Sequence, residues 1–416
     1  MDVKITPSKL KGRISAPSSK SFSHRMIIAA SLADGISIIN NVTSSVDIEA
    51  TVNAMTRLGA KIIIDGSTYT IKGIGNKPCQ NAVIDCCESG STLRFVIPIA
   101  AALGCSTEFD GKGKLPSRPV TPYIREMSKK GVEFNYNNTM PFTIAGKLVG
   151  GEYNLEGNIS SQFITGLLYA LPVCEKNSVI KITSPLESKP YIDITISVLS
   201  AFGIKITEAV DNNLPIYIIN GNQNYISSNQ SVEGDYSQAA FFFVANALGS
   251  EVNIQNLNTE TTQGDKKILD ILHDIGYNDM TKPFMESFTV DASNIPDLVP
   301  ILAVLGCFTS GKCRIVNAKR LKIKESDRLI AIANALNNIG GKVTAFDDSL
   351  EIEPIEQFTG GTVDSCNDHR IVMAAAIAST KSSGNVIIKG AEAVSKSYPA
   401  FFDDFNRIGG QIEFIK

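Results

Sequence analysis

The sequence predicts an α/β fold of six stacked βαβ-type repeats in two groups of three, on three observations. An apolar residue or lysine, then glycine, then an extended apolar segment occurs six times, around Gly59, Gly131, Gly203, Gly276, Gly340 and Gly409. Each reads as a helix ended by glycine in the left-handed position, with a β-strand after it. In the same period a polar cluster opens a helix whose body is apolar on nearly every side, and such a helix must be surrounded by protein. Lastly, 416 residues with 43% hydrophobic content exceed one core. Six repeats of roughly 70 residues divide naturally into two groups of three.

Along the chain, a short strand at Val3–Ile5 precedes the first repeat and fits either group. The buried helices open at Ser18–Ser21, Glu88–Thr92, Ser160–Gln162, Asp235–Gln238, Ser293–Asp297 and Asn367–Arg370. Their apolar bodies follow at Met26–Ala33, Phe95–Leu103, Phe163–Leu171, Ala239–Leu248, Leu298–Leu305 and Ile371–Ala378. The polar, Asn-rich stretch Glu208–Gln230 follows the third repeat and reads as the crossover between groups. Arg320–Arg328, the most densely charged stretch, reads as a strand end feeding a helix, with Lys322 and Lys324 on one strand face. Ser326 or Glu325 would cap that helix and Asp327 would lie in its first turn, before the apolar face of Leu329, Ile332, Leu336 and Ile339.

Cations gather at these helix starts: Lys20, Arg25, Arg94, Arg118, Lys324, Arg328 and Arg370. A helix N-terminus already carries partial positive charge, so a cation is misplaced there unless an anion joins it. Capping accounts for the serines but not for the arginines; internal ion pairs on solvated turns are the plain alternative. If the three buried helices of each group run parallel, two sets of N-termini would face one another across a positive inter-domain cleft. That suits a substrate with several negative groups. Asp297 and Glu325 among so many cations suggest proton transfer, with structural ion pairing as the ordinary alternative.

A net charge of −3 with interspersed signs argues against nucleic acid as partner. The first thirteen residues lack an apolar signal core and no apolar run reaches membrane-spanning length, so a cytoplasmic protein with no membrane association is expected. Eight scattered cysteines without a C-x-x-C pair signal neither disulfides nor zinc. His24, His273 and His369 lack ligand spacing, which makes a metal site or a serine triad improbable.

Together these segments resemble the EPSP synthases, the 3-phosphoshikimate 1-carboxyvinyltransferases. The resemblance is carried in order by Pro17-Ser-Ser-Lys-Ser-Phe-Ser-His-Arg25, Gly90-Ser-Thr-Leu-Arg94, Arg118-Pro119, Ser160-Ser-Gln162 and Ser188-Lys-Pro-Tyr-Ile-Asp193. It continues through Pro296-Asp297, Lys324-Glu-Ser-Asp-Arg328, Asp368-His-Arg370 and Lys396. It implies a two-domain inside-out α/β barrel, each domain three βαβαββ units with pseudo-threefold symmetry. One domain would comprise residues 1–16 and 231–416 and the other 17–230, with the active site in the cleft between them.

The implied reaction transfers the enolpyruvyl group of phosphoenolpyruvate to the 5-hydroxyl of shikimate 3-phosphate, in a monomer that needs no cofactor or metal. By the same resemblance, Lys20, Ser21, Arg25, Ser160, Ser161, Gln162, Ser188, Tyr191, Asp297 and Lys324 would hold shikimate 3-phosphate. Lys20, Gly90, Arg118, Gln162, Arg328, Arg370 and Lys396 would hold phosphoenolpyruvate, and the inhibitor glyphosate would compete there. Asp297 would act on the attacking hydroxyl, and Glu325 with Lys20 on the enolpyruvyl methylene. Glu88 and Arg320 stand where many members have asparagine. The enolpyruvyl transferases acting on UDP-N-acetylglucosamine carry a reactive cysteine five residues before the loop arginine; here that position is Gly113. A non-catalytic anion-binding module is the alternative from another class.

Overall fold

Glycine punctuation and apolar helices organise the chain as a succession of similar repeats in a computed structural model, which describes residues 1–75, 79–277 and 285–415. All six repeat glycines adopt positive φ, between 79° and 118°, so each can end its helix in the left-handed region without a Cβ clash. Strands follow five of them; the strand expected after Gly276 falls outside the described residues.

The chain opens with β1 (Asp2–Thr6) and β2 (Lys11–Ser15). The first repeat holds α1 (Lys20–Leu32), β3 (Ile36–Asn40), α2 (Val46–Arg57), β4 (Lys61–Asp65) and β5 (Thr68–Lys72). Next come β6 (Asn81–Asp85), α3 (Gly90–Ala102), β7 (Ser106–Asp110), α4 (Thr121–Met127), β8 (Val132–Asn135) and β9 (Phe142–Gly146). The third repeat is β10 (Glu152–Leu155), α5 (Ser161–Ala170), β11 (Ser178–Ile182), α6 (Lys189–Ala201), β12 (Ile206–Asp211) and β13 (Leu214–Ile219), followed by β14 (Gln230–Ser231). Then α7 (Tyr236–Ala247), β15 (Glu251–Gln255) and α8 (Lys267–Asp274) lead to β16 (Thr289–Asp291), α9 (Val299–Gly306), β17 (Cys313–Val316), α10 (Arg328–Asn337), β18 (Val343–Ala345) and β19 (Leu350–Ile352). Last are β20 (Gly361–Asp364), α11 (His369–Ala378), β21 (Val386–Lys389), α12 (Phe401–Arg407) and β22 (Gln411–Ile415).

The chain divides into two compact units, one of Met1–Pro17 with Gly234–Lys416 and the other of Ser18–Glu233. In the Ser18–Glu233 unit three sheets have the same plan: a parallel pair, then two antiparallel strands, in the orders β14-β3-β5-β4, β6-β7-β9-β8 and β10-β11-β13-β12. The other unit repeats the plan in β16-β17-β19-β18 and β20-β21-β1-β22, with β2 beside β15 in a third sheet. β1 therefore settles its own allegiance: it lies antiparallel between β21 and β22, pairing Val3 with Ile388 on one side and Phe414 on the other. Each unit has its own apolar core, from Phe22 to Val232 in one, and from Val3 to Ile14 and Ala240 to Ile408 in the other.

One helix of each repeat, α1, α3, α5, α7, α9 and α11, lies inside, with the sheets outside. α9 and α11 are buried throughout, while β6 alternates exposed and buried residues. In α1, α3 and α5 every residue is buried except Lys20 and Ser21, Ser91, and Gln162, all in first turns.

Three expectations fail. Much of the Asn-rich stretch is not a linker but the hairpin β12–β13, turned at Asn212 and Asn213 with φ of 49° and 62°; the chain passes between units at Pro17–Ser18 and Glu233–Gly234. Its polarity reflects a sheet with one solvated face. The segment before Arg328 is a 3₁₀ turn over Lys319–Ile323 rather than a strand, so Lys322 and Lys324 do not alternate on a strand face: Lys322 pairs with exposed Asp347. The cap of α10 is Asp327, whose Oδ1 accepts from the Ile330 N–H, and neither Ser326 nor Glu325.

Candidate active site

In the Ser18–Glu233 unit the first turns of five helices converge, as their mutual hydrogen bonds show. Ser19 caps α1, which points Lys20 outward; its Nζ donates to Oδ2 of Asp47 in the first turn of α2 at 2.8 Å. One turn on, Arg25 donates from Nε to Thr195 Oγ1 and from Nη1 and Nη2 to the carbonyls of Ser21 and Tyr191. Its guanidinium lies 5.1 Å from the Phe95 ring centroid. Arg25 is buried with no carboxylate in salt-bridge reach among the described residues, and burial pulls its pKa down to about 10. A cation desolvated by neutral oxygens alone suits an anionic ligand.

Ser89 caps α3 and Ser160 caps α5. Arg94 donates from Nη1 to Oε1 of Gln162 at 2.6 Å, and Gln162 donates from Nε2 to Ser91 Oγ at 3.0 Å, so the two helix starts are tied. Gly90 opens α3 against Arg118: a Cβ there would lie 2.6 Å from Arg118 Nη1. Arg118 is itself buried, and its Nε finds no hydrogen-bond partner. Ser161 is buried beside Ser160, and Ser188 precedes α6 at φ 56°, its carbonyl accepting from the Tyr191 N–H. A buried chain from His24 Nδ1 to Thr51, Thr92 and Ser89 links the starts of α1, α2 and α3. Burial, then the Lys20 and Arg25 charges, holds the His24 pKa well below its ordinary value, so this imidazole is neutral.

The other unit gathers α7, α9, α10 and α11 in the same way, but here the cations meet carboxylates. Arg328 donates from Nη1 to Asp297 at 3.0 Å, from Nη2 to Glu325 at 2.6 Å, and from Nε to Asp368 at 2.9 Å. Arg370 donates from Nη2 to Asp297 Oδ2 at 2.8 Å and to Ser237 Oγ at 3.0 Å, and Lys324 Nζ stands 3.9 Å from Asp297. Burial alone would raise the Asp297 pKa; Arg370, Lys324 and Arg328 outweigh it and hold this carboxyl well below the usual range. Burial lowers Lys324 to about 8 against the opposing pull of Asp297. Lys396 donates to the Asn367 carbonyl, one residue from Asp368. Arg320 is buried and donates to the Ser293 carbonyl.

Sequence reasoning therefore singled out members of both clusters but missed the groups that hold them: Asp47, Thr195, Ser237 and the anchoring role of Asp368. Their partners lie 27 to 170 residues away, beyond any local spacing rule. Among the described residues no group of three or more His, Cys, Asp or Glu side chains could hold a metal, and no helix is long and apolar enough to cross a membrane.

A model of the EPSP synthase (3-phosphoshikimate 1-carboxyvinyltransferase) family matches residues 5–405. A 3-phosphoshikimate 1-carboxyvinyltransferase of Clostridium novyi (strain NT) is 46% identical, covering 99% of this chain and 98% of its own length. One from Clostridium botulinum (strain Eklund 17B / Type B) is 45% identical, covering 98% and 97%. Among solved structures, an EPSP synthase from Acinetobacter baumannii superposes with a TM-score of 0.82 at 24% identity, over 99% of this chain and 100% of that one. At that identity the likeness speaks for the fold, a two-domain inside-out α/β barrel.

Proposed function

Because this chain belongs to the EPSP synthase family, we propose which of its residues carry the transfer of the carboxyvinyl group from phosphoenolpyruvate to shikimate 3-phosphate. The reaction itself follows from the family and from relatives matched end to end: the 5-hydroxyl adds to the phosphate-bearing vinyl carbon of phosphoenolpyruvate, and phosphate leaves from the adduct. It serves the shikimate pathway to aromatic amino acids.

Shikimate 3-phosphate is held by Lys20, Ser21, Arg25, Ser160, Ser161, Gln162, Ser188, Tyr191, Asp297 and Lys324. Arg25 supports this most directly, since a buried guanidinium facing only neutral oxygens gains most from an incoming phosphate. Phosphoenolpyruvate is held by Lys20, Gln162, Arg118, Arg370 and Lys396, beside Gly90. Arg328 acts with them chiefly by positioning, because its three donor nitrogens already grip Asp297, Glu325 and Asp368.

Asp297 orients the 5-hydroxyl and accepts its proton as the carbon–oxygen bond forms. Glu325, with Lys20, delivers a proton to the methylene carbon and takes one back as phosphate departs. The surrounding cations stabilise the phosphate as it gains charge. The observation that carries the reading is Asp297, a carboxylate gripped on both oxygens by arginines of two different helix starts. Glyphosate is an inhibitor competing with phosphoenolpyruvate, and the enzyme works as a cytoplasmic monomer without nucleic-acid or membrane partners.

The test is a coupled phosphate-release assay with phosphoenolpyruvate, comparing shikimate 3-phosphate with UDP-N-acetylglucosamine as acceptor. Release is expected with the first alone, and release only with the second would overturn the reading.

A further inference from the structure

We propose that Gly113 holds the carboxylate of Glu88 away from Arg118, and that this pair sets the affinity for the anionic co-substrate. The inference rests on the reading of Arg118 as a phosphoenolpyruvate ligand. The segment Asp85–Gly90 and the loop Gly111–Arg118 lie against each other along their length. The Lys112 N–H donates to the Cys87 carbonyl at 2.6 Å, and Lys112 Nζ meets Asp85 at 2.9 Å. A Cβ on Gly111 would come within 3.2 Å of the Cys87 carbonyl oxygen, and one on Gly90 within 2.6 Å of Arg118 Nη1. So the guanidinium rests on the backbone at Gly90, buried and without an ion pair among the described residues.

Glu88 lies only two residues before Gly90, where a carboxylate could neutralise Arg118. Its carboxyl lies against Gly113: a Cβ there would lie 2.6 Å from Glu88 Cδ and Oε2. Gly113 has φ of 58°, which a glycine adopts without strain. The space that holds the carboxylate is thus the space a side chain at Gly113 would fill. Guanidinium and carboxylate form strong bidentate pairs, so a displaced Glu88 competes with phosphoenolpyruvate for Arg118.

The test compares wild type, Gly113→Ala and Gly113→Ala with Glu88→Gln, measuring KM for phosphoenolpyruvate at saturating shikimate 3-phosphate. Gly113→Ala is expected to raise KM about tenfold or more with a smaller fall in kcat, and the added Glu88→Gln to restore KM to within about threefold. Rescue by a neutral side chain of the same shape separates charge competition from backbone strain. Should the alanine variant not fold, Gly113→Asn repeats the test with a residue that tolerates this φ. An unchanged KM in the single variant, or a double variant as impaired as the single, overturns the proposal. Absence of phosphate release in the wild type would instead sink the functional reading.

Discussion

Arg328 grips Oδ1 of Asp297 at 3.0 Å while its Nε reaches Oδ2 of Asp368 at 2.9 Å, so one guanidinium spans the starts of α9 and α11. Removing it would take a guanidinium from three carboxylates, and although Asp297 keeps Arg370, Asp368 is fully buried. We expect Arg328→Ala to cost about 3–5 kcal/mol of stability, read by chemical denaturation of the enzyme without ligand. A loss below about 1 kcal/mol would mean the carboxylates relax into water.

Arg25 is the opposite case, a buried cation with no carboxylate in salt-bridge reach among the described residues. Arg25→Met should remove the thermal stabilisation that shikimate 3-phosphate gives, while costing the unliganded protein less than Arg328→Ala does. Thermal shift with and without shikimate 3-phosphate decides it; a variant that keeps the ligand shift would show that Arg25 does not meet the phosphate.

Asp297→Asn is expected to reduce kcat by roughly 10² to 10⁴ while calorimetry finds shikimate 3-phosphate binding almost intact, and Glu325→Gln should behave similarly. Near-normal turnover with lost affinity would make either carboxylate purely structural.

Lys324 gives a pH signature. Burial brings its pKa down to about 8, so its charge is present below that pH and lost above it. Affinity for shikimate 3-phosphate should therefore weaken as pH rises through 8 in the wild type. Lys324→Arg, which stays charged, should abolish that limb. The same limb in both proteins would assign it to another group.

Gly90→Ala places a methyl against Arg118 itself, not merely against a bulky ligand. KM for phosphoenolpyruvate should rise about 10- to 200-fold, and glyphosate inhibition should weaken as well. Inhibition curves against phosphoenolpyruvate check both, and equal glyphosate sensitivity in the two proteins would remove Gly90 from that site.

What could be read in advance was whatever local periodicity encodes: the helix-ending glycines, the capped helix starts, and the cations that crowd them. The hairpin at Asn212–Asn213 escaped because its polar, outward residues imitate a linker, although two adjacent asparagines are themselves a turn signal. The Arg320–Arg328 stretch misled because Leu321 and Ile323 alternate with lysines as a strand would, whereas only Leu321 turns inward, on a 3₁₀ turn. Which carboxylate holds which arginine is a long-range fact. Asp297 and Asp368 meet at Arg328 through packing of separate repeats, and no spacing rule near Arg328 points to either.

The position of β1 between β21 and β22 also bears on how the protein is made. During synthesis β1 emerges long before its partners, which lie in residues 386–389 and 411–415. Ser18–Glu233 can close its own sheets as soon as β14 emerges, because every strand it needs lies within it. β1 must stay unpaired through the synthesis of some 380 residues more, an exposed edge in a nascent chain. Its lysine at position 4, between a valine and an isoleucine that later become core, is the kind of charge that discourages premature pairing.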